Sequence, residues 1–180
     1  KDHWSIGSIM FLGQGIKGNR VIGETDEGEL YLVMEYLHGE TLSSVVRHGW
    51  AHEGGVPFGL FARVMSDIGR GLHAAHELKG AEGELLHLVH RDVSPQNMIV
   101  LYDGVAKITD FGVARAEGRL TETTAGEVKG KFAYMAPEQV KGVAVDRKTD
   151  VFAAAIVLWE MLTGRHLFDA GEIGHCINQI

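Results

Sequence analysis

Three polar side chains near the middle of the chain are of types that can move a proton or bind a metal ion. Asp92 and Asn97 lie five residues apart in the polar stretch 90–97, and Asp110 follows Asp92 by 18 residues. A carboxylate can accept or orient a hydroxyl proton, and hard carboxylate and carboxamide oxygens suit Mg²⁺. Taken singly, each aspartate is more simply explained as a turn residue, and Asn97 as a cap at the start of a strand.

Short apolar segments enclose this polar stretch. Leu88 and Val89 precede it, and the run 98–101 follows at once. A second run, 105–108, is separated from the first by Asp103-Gly104, a dipeptide that favours a hairpin turn. We therefore expect a loop held between two buried segments, with Asp110 just beyond the second strand of the hairpin.

Three strings of residues together resemble a known family. The catalytic loop, the metal-binding turn and the end of the activation segment of a protein kinase are similar, in this order, to His90-Arg91-Asp92-Val93-Ser94-Pro95-Gln96-Asn97, Asp110-Phe111-Gly112 and Ala136-Pro137-Glu138. The first string most resembles the eukaryote-like serine/threonine kinases of bacteria. The resemblance implies transfer of the γ-phosphate of ATP to a protein serine or threonine hydroxyl. Asp92 would be the base, and Asn97 and Asp110 would hold Mg²⁺.

The resemblance also implies a set of nucleotide-binding residues at the hinge and beneath it: Met34, Glu35, Leu37, Glu40, Leu42, Ile99 and Asp110. Met34 would be the gatekeeper, and the backbone of Glu35 and Leu37 would offer adenine an acceptor and a donor. Ile99 would lie under the adenine ring with Leu42 as its partner. Glu40 or Thr41, at the start of the next helix, would reach a ribose hydroxyl, although a carboxylate at a helix N-terminus explains Glu40 equally well.

Two positions of the cleft depart from the family. Serine/threonine kinases usually have lysine two residues after the catalytic aspartate, where this chain has Ser94, and threonine where it has Lys131. Our hypothesis is that Lys131 reaches the cleft and supplies the positive charge that Ser94 cannot. An exposed loop lysine is the alternative.

The phosphate-binding parts are also not recognisable. Residues 13–18 fit the pattern G-x-G-x-x-G, but no helix period follows, which argues against a dinucleotide site, and the valine of the kinase pattern is displaced. No lysine occurs between Lys17 and Lys79, so the cation that clamps the α- and β-phosphates has no counterpart. The alternatives to an active enzyme are therefore a non-catalytic kinase-like binding module or an incomplete kinase fragment.

The resemblance predicts an α+β, protein-kinase-like fold, incomplete at both ends. Residues 1–36 would be a remnant of the N-lobe sheet, and residues 37–180 a mainly helical C-lobe, truncated near the start of the helix after 168. The apolar faces that the missing helices would cover are expected to be exposed, and a partner could cover them. Residues 114–127 resemble an activation loop, in which Arg91 would pair with a phosphate on Thr121, Thr123 or Thr124.

Periodicity predicts the main elements. Strands are expected at 21–24 and 29–36, a short helix at 41–48, a glycine-rich loop at 49–56 and a long helix opened by Pro57. The long helix has one apolar stripe: Leu60, Phe61, Val64, Met65, Ile68, Leu72 and Ala75. A second helix over 147–162, ended by Gly164, would share one face among Val151, Ala154, Ala155, Leu158 and Leu162.

Three further contacts are expected. His90 and Phe111 would stack inside the lobe, and Asp150 would anchor the catalytic loop from below, both by resemblance. His73 and His76 have a spacing that could bind a metal, but packed or capped histidines explain them better, because no third ligand is nearby.

Composition limits the classes of function. A chain of 180 residues with 45% hydrophobic residues is sufficient for one domain with a core. The net charge of −7 argues against nucleic acid as a partner. The single cysteine, Cys176, cannot form an internal disulfide, and we find no signal peptide or stretch long enough to span a bilayer. We therefore expect a cytoplasmic protein.

Overall fold

The N-terminal strands form a two-stranded ladder. The computed structural model describes the backbone of residues 21–24 and 30–33, and residues 35–52, 54–111 and 132–168 in full. Strand β1 (Val21–Glu24) pairs antiparallel with β2 (Leu30–Val33), with Val21 opposite Val33. Both strands were predicted, but β2 ends at Val33, whereas the apolar pattern extended it to residue 36.

A second sheet carries the segment that follows the polar loop 90–97. Strands β3 (Gly39–Thr41), β4 (Met98–Leu101) and β5 (Ala106–Ile108) form an antiparallel sheet in the order β3-β4-β5. The hairpin of β4 and β5 over Asp103-Gly104 is as predicted, because its turn chemistry is local. Strand β3 was not predicted. It approaches β4 so closely that a Cβ on Gly39 would lie 2.3 Å from the carbonyl oxygen of Val100.

Helix α1 (Leu42–His52) is longer than its sequence indicated. The predicted end at residue 48 was wrong, because Gly49 continues the helix instead of ending it. Gly49 is buried, and a Cβ there would lie 2.4 Å from Cγ2 of Val56. Its lack of a side chain therefore allows the following loop to pack against the helix. At the other end, the hydroxyl of Thr41 accepts a hydrogen bond from the backbone N–H of Ser44 (3.2 Å), as an N-cap does.

Helix α2 (Phe58–His76) follows Pro57 and buries most of the predicted stripe, of which Leu60 and Met65 are only partly buried. Pro57 occupies the N-cap position, one residue before the expected place. One charged residue, Asp67, is buried on the same helix, where Arg63 (2.8 Å) and Arg70 bind its carboxylate. The same carboxylate accepts a hydrogen bond from the backbone N–H of Ala106 in β5 (3.1 Å). Burial opposes the charge of Asp67, but these hydrogen bonds together lower the pKa of the carboxyl group.

The short helix α3 (Pro137–Val140) precedes α4 (Arg147–Thr163). Helix α4 begins at the predicted residue and ends one residue later than predicted. Asp146 caps its N-terminus by accepting from Lys148 N (2.7 Å), and Gly164 ends it in the left-handed region at φ 66°.

The predicted buried face of α4 was wrong. The side chains of Val151 and Leu162 are exposed, and the buried positions include Ala153, Ile156 and Met161. Helix α4 is apolar on nearly all sides, so periodicity could not select the face that meets the core. The polar residues Asp150 and Glu160 belong to the buried side, because each has hydrogen-bond partners there.

The core lies between α2, α4 and the hairpin. Its fully buried side chains come from all of these elements and from the catalytic loop: Val64, Ile68, Val93, Met98, Ile156 and Val157. Within the ranges that the structure describes, no helix has the length and apolarity needed to cross a membrane.

Candidate active site

The loop 90–97 is closed by its own asparagine. It ends in a 3₁₀ turn, Pro95–Asn97, in which the N–H of Asn97 donates to the carbonyl of Ser94 (3.0 Å). The side-chain Nδ2 of Asn97 donates to the backbone carbonyl of Asp92 (2.7 Å). Because only the amide nitrogen can donate, the amide oxygen of Asn97 is the group left for a ligand.

Thr109, the residue before Asp110, contacts the same asparagine. The backbone N–H and the hydroxyl of Thr109 both donate to the carbonyl oxygen of Asn97, at 2.8 and 3.1 Å. These bonds continue the β4–β5 ladder by one step. Asp110 then turns away with φ 56°, in the left-handed region that non-glycine residues rarely adopt. The structure therefore brings the backbone segments of Asp92, Asn97 and Asp110 together at the end of one hairpin.

Asp150 fixes the other end of the loop. Its Oδ2 accepts a hydrogen bond from the N–H of His90 (2.8 Å), and its Oδ1 accepts one from the N–H of Arg91 (2.9 Å). Oδ2 also contacts Nε2 of His76 at 2.7 Å. Asp150 is fully buried, and Arg91 has φ 66°. The predicted anchor is confirmed, and it holds a strained backbone conformation immediately before Asp92.

His90 links the loop 90–97 to the segment 109–111 that contains Asp110. Its ring lies 4.3 Å from that of Phe111, so the predicted contact is confirmed. Nε2 lies 2.8 Å from the carbonyl oxygen of Thr109, and Nδ1 lies 3.3 Å from the backbone N of Asp92. A carbonyl requires a donor and an N–H requires an acceptor, so these partners select the neutral ring with its proton on Nε2. Burial also favours the neutral ring, because it lowers the pKa of His90.

The hinge residues are placed as follows. Leu37 is buried, and Glu35 is exposed, with its carboxylate 3.2 Å from Nζ of Lys107. Glu40 lies in β3, and its carboxylate accepts a hydrogen bond from the hydroxyl of Tyr102 (3.1 Å). Sequence reasoning missed Lys107 and Tyr102, because nothing in their neighbourhood marks a contact across the sheet.

The two residues expected to enclose adenine differ in burial. Leu42 is fully buried in the core, whereas Ile99 is partly exposed in β4, opposite Thr41. Met34 lies outside the described residues, as do residues 13–18, which match the pattern G-x-G-x-x-G, and the threonines Thr121, Thr123 and Thr124.

Ser94, which stands where the family usually has a lysine, is buried. Ser94 is 3% exposed and has an extended backbone that leads into Pro95. Lys131 lies outside the described residues, so its proposed compensation for Ser94 stays a prediction. The 136–138 string contacts its surroundings through Glu138, whose carboxylate accepts from the Thr149 hydroxyl (2.5 Å).

Gln139 is a contact that sequence reasoning missed. Its Nε2 donates to the backbone carbonyl of Arg91 (2.8 Å), and its Oε1 accepts from the N–H of Ala136 (3.0 Å). It therefore joins α3 to the catalytic loop. The pattern Ala-Pro-Glu-Gln could have indicated a capping role for this glutamine, but not its second partner.

The residues present fit a magnesium ion. The amide oxygen of Asn97 and the carboxylate of Asp110 are hard oxygen donors, and Mg²⁺ usually takes one or two protein ligands together with water and phosphate. Among the described residues, no group of three histidine, cysteine or acidic side chains converges on one point. His76 is packed against Asp150, as predicted, and His73 is exposed.

Comparisons with known proteins give consistent results. A family model for the protein kinase domain matches residues 20–179. The tyrosine-protein kinase MasK of Myxococcus xanthus is 48% identical over 137 residues, which are 76% of this chain and 21% of that protein. The serine/threonine-protein kinase PrkC of Bacillus subtilis is 34% identical over 169 residues, which are 93% of this chain and 22% of that protein.

A third relative, a probable serine/threonine-protein kinase of Clostridium acetobutylicum, is 38% identical over 140 residues. The match covers 78% of this chain and 20% of that protein. The chain therefore spans about a fifth of the length of each of these bacterial relatives.

Proposed function

Because this chain belongs to the protein kinase family, we propose that it transfers the γ-phosphoryl group of ATP to a serine or threonine hydroxyl of a protein. The observation that carries this proposal is that hydrogen bonds fix the loop 90–97 at both of its ends. Asn97 ties it to the Thr109–Asp110 turn, and Asp150 ties it to the core. Phosphoryl transfer depends mainly on such positioning and on electrostatic stabilisation.

The proposed roles follow from this placement. Asp92 would orient the acceptor hydroxyl and take its proton. Asn97 and Asp110 would hold Mg²⁺, which neutralises charge on the phosphate groups when bound. The backbone of Glu35 and Leu37 would bind the adenine edge, with Met34 behind it and Ile99 and Leu42 beneath, and Glu40 would reach the ribose.

Ser94 and Lys131 complete the proposed catalytic set. A lysine at 131 would supply the cation that a serine at 94 cannot. We expect Lys131→Thr to reduce phosphoryl transfer while leaving the melting temperature unchanged. Transfer at the wild-type rate in that variant would leave Lys131 an ordinary loop residue.

The N-lobe boundary and the location of the protein are also proposals. We propose that residues 1–36 belong to the N-lobe and residues 37–180 to the C-lobe, supported by the change from the two-stranded ladder to the helical part. Dependence on ATP favours the cytoplasm as the compartment of this domain. A partner over the exposed face of α4 is supported by the exposed side chains of Val151, Trp159 and Leu162.

The test separates catalysis from binding alone. Thermal unfolding is followed while Mg²⁺·ATP is titrated, and phosphate transfer to a generic protein with serines in both acidic and basic surroundings is measured in parallel. A ligand at 100 times its Kd stabilises by about 2.7 kcal/mol. We expect both stabilisation and transfer.

The matched variant is Asp92→Asn, which should keep the stabilisation and reduce the transfer rate by roughly 10²- to 10⁴-fold. Stabilisation of the wild type without any transfer would support the binding module instead. Neither effect, with a broad transition, would indicate a fragment that does not fold alone.

Tyrosine is a second candidate acceptor. The Myxococcus xanthus relative is named a tyrosine-protein kinase, and this chain lacks the lysine that serine/threonine kinases usually carry at the position of Ser94. Phosphoamino-acid analysis of the labelled substrate distinguishes the two. We expect phosphoserine and phosphothreonine; phosphotyrosine as the main product would reassign the acceptor.

A further inference from the structure

A groove beside the catalytic loop combines an apolar floor with a basic rim. We call it the α1–α4 groove: it lies between α1, the C-terminal end of α4 and the residues Pro95 and Gln96 of the loop, and its volume is about 340 Å³. Gln96 is exposed and follows Asp92 by four residues. An extended peptide whose hydroxyl meets Asp92 therefore has this groove within reach of its neighbouring residues.

The floor of the groove is preformed. The indole N–H of Trp50 donates to the carbonyl of Met161 (3.3 Å), which fixes α1 against α4. Val157, Met161 and Tyr134 are buried beneath the groove. Because these groups are already packed, an occupant would not have to order them.

The carboxylate that lines the groove already has partners. Glu160 accepts a hydrogen bond from the Tyr134 hydroxyl (2.6 Å) and lies 2.7 Å from Nδ1 of His166. Burial, and after it the charge of Glu160, raises the pKa of Tyr134, so its hydroxyl stays a donor. An incoming cation would have to compete with both partners for this carboxylate.

Arg47 of α1 and Arg165, which follows α4, form the rim and differ from the arginines of α2 and α4. Arg63 and Arg70 bind Asp67, and Arg147 binds Glu77. Arg47 and Arg165 are exposed, and neither side chain has a carboxylate or hydrogen-bond partner among the described residues. Within the described ranges, the rim therefore presents two guanidinium groups without an acidic partner, in a chain whose net charge is −7. Guanidinium groups of this kind suit carboxylate or phosphate oxygens.

We propose that the α1–α4 groove binds acidic side chains of the protein substrate that flank the acceptor hydroxyl, through Arg47 and Arg165. This inference rests on the proposed kinase function and adds the charge of the substrate to it. It makes these arginines specificity-determining residues, whereas Asp92 acts on every substrate alike. Exposed ion pairs are screened by salt, so the preference should decline as ionic strength rises.

The test uses the whole gene product and one set of serine peptides. Each peptide carries one substitution, to aspartate, alanine or lysine, at a single position between about five residues before and five residues after the acceptor serine. We expect aspartate at one or two positions to lower KM by about fivefold relative to alanine, and lysine there to raise it. In the double variant Arg47→Ala/Arg165→Ala, the KM of the alanine peptide divided by that of the aspartate peptide should fall to about one. In Arg47→Glu/Arg165→Glu, the lysine peptide should have the lowest KM.

Arg147→Ala is the matched control, since it removes an exposed arginine far from the groove and should keep the aspartate preference. Equal KM values for the aspartate and lysine peptides, or a preference that survives both double variants, would overturn the inference. Melting temperatures check that the variants fold, and loss of the wild-type preference in high salt gives a second readout that needs no variant.

A binding measurement separates this inference from the proposed function. Fluorescence anisotropy of a labelled aspartate-rich peptide is measured without ATP, against a lysine-rich peptide of equal length. Tighter binding of the acidic peptide that is lost in Arg47→Ala/Arg165→Ala supports the groove even if no phosphate is transferred. Transfer without any difference between the two peptides contradicts the groove alone.

Discussion

Asp150 lies in α4, yet its carboxylate determines where the backbone of the catalytic loop runs. Both of its oxygens accept N–H groups of that loop, and His76 contacts the same carboxylate. Arg91 holds a left-handed φ of 66°, which costs about 1–3 kcal/mol for a non-glycine residue. The hydrogen bond to its N–H offsets part of that cost.

Removing this carboxylate should therefore affect both stability and activity. Asp150→Ala leaves two backbone N–H groups of the loop and the His76 ring without their acceptor. We expect the free energy of unfolding to fall by about 3–5 kcal/mol. Urea unfolding measures this, and Asp146→Ala, which removes only the exposed cap of α4, should cost about 1 kcal/mol. Equal losses in the two variants would contradict the anchoring role.

His90 must be neutral to make its contacts. The folded state lowers its pKa through burial, whereas an unfolded histidine titrates near about 6.5. As the pH falls below that value, the unfolded chain binds the proton first, so this stabilising contribution is lost in acid and is fully present above the unfolded pKa.

The free energy of unfolding should accordingly decrease between pH 7.5 and 5.5, by up to about 1.4 kcal/mol per pH unit from this residue. His90→Gln removes the titration and should make the dependence shallower. His73→Gln, at an exposed position of α2, should leave the slope unchanged. Denaturant unfolding at three pH values measures all three proteins, and identical slopes would show that another group is responsible.

Among the elements, β3 depends on the absence of one side chain. A Cβ on Gly39 would meet the carbonyl oxygen of Val100 at 2.3 Å and Cα of Leu101 at 2.7 Å. Both are backbone atoms, which cannot rotate away. The close approach joins the strand that follows Glu35 and Leu37 to the hairpin that leads to Asp110, so the segments proposed to bind nucleotide and metal are attached to one sheet.

Gly39→Ala should therefore push β3 away from β4. We expect a loss of about 1–3 kcal/mol in the free energy of unfolding and weaker stabilisation by Mg²⁺·ATP. Gly69→Ala is the control, because a Cβ on Gly69 of α2 meets nothing within 4 Å. That variant should be stabilised by about 0.5–1 kcal/mol, since alanine is the better helix former. A Gly39→Ala protein as stable as the wild type would contradict the close approach.

The same elements show what sequence could predict. The hairpin, the α2 stripe and the bounds of α4 follow from turn residues, periodicity and caps, which act within a few residues. The end of α1 depends on the close approach of Gly49 to Val56, and the existence of β3 depends on the close approach of Gly39 to Val100. These approaches cannot be read from local pattern.

The candidate site divides in the same way. The order of its motifs predicted the contacts of His90 with Phe111 and of Asp150 with the loop. The links through Gln139 and Tyr102 join segments 48 and 62 residues apart and follow no periodic pattern. The roles proposed for Asp92, Asn97, Asp110, Ser94 and Lys131 await the experiments described above.

At the scale of the whole molecule, one hydrophobic cluster contains side chains from α1, α2, the catalytic loop, the hairpin and α4. Val93 of the loop and Phe111 beside the metal-binding turn belong to it. The site is therefore built on the core itself, and the two should be lost together on unfolding.

Ile68→Ala tests this dependence. Ile68 is fully buried in α2, so its truncation should cost about 2–5 kcal/mol through lost burial and a cavity. Far-ultraviolet circular dichroism and the loss of Mg²⁺·ATP binding should show one coincident transition, at a lower midpoint than in the wild type. Nucleotide binding lost well before the helical signal would show that the site unfolds separately.

The catalytic loop is fastened to α4 through main-chain N–H groups, which every residue except proline possesses. The side chain of Arg91 is therefore not what attaches the loop, and it can be exchanged while the course of the loop is kept, whereas the ring of His90 makes contacts of its own with Thr109 and Asp92. A variant at Arg91 would therefore test the proposed pairing of this arginine with a phosphate without moving Asp92, because the hydrogen bond from its N–H to Asp150 would be kept.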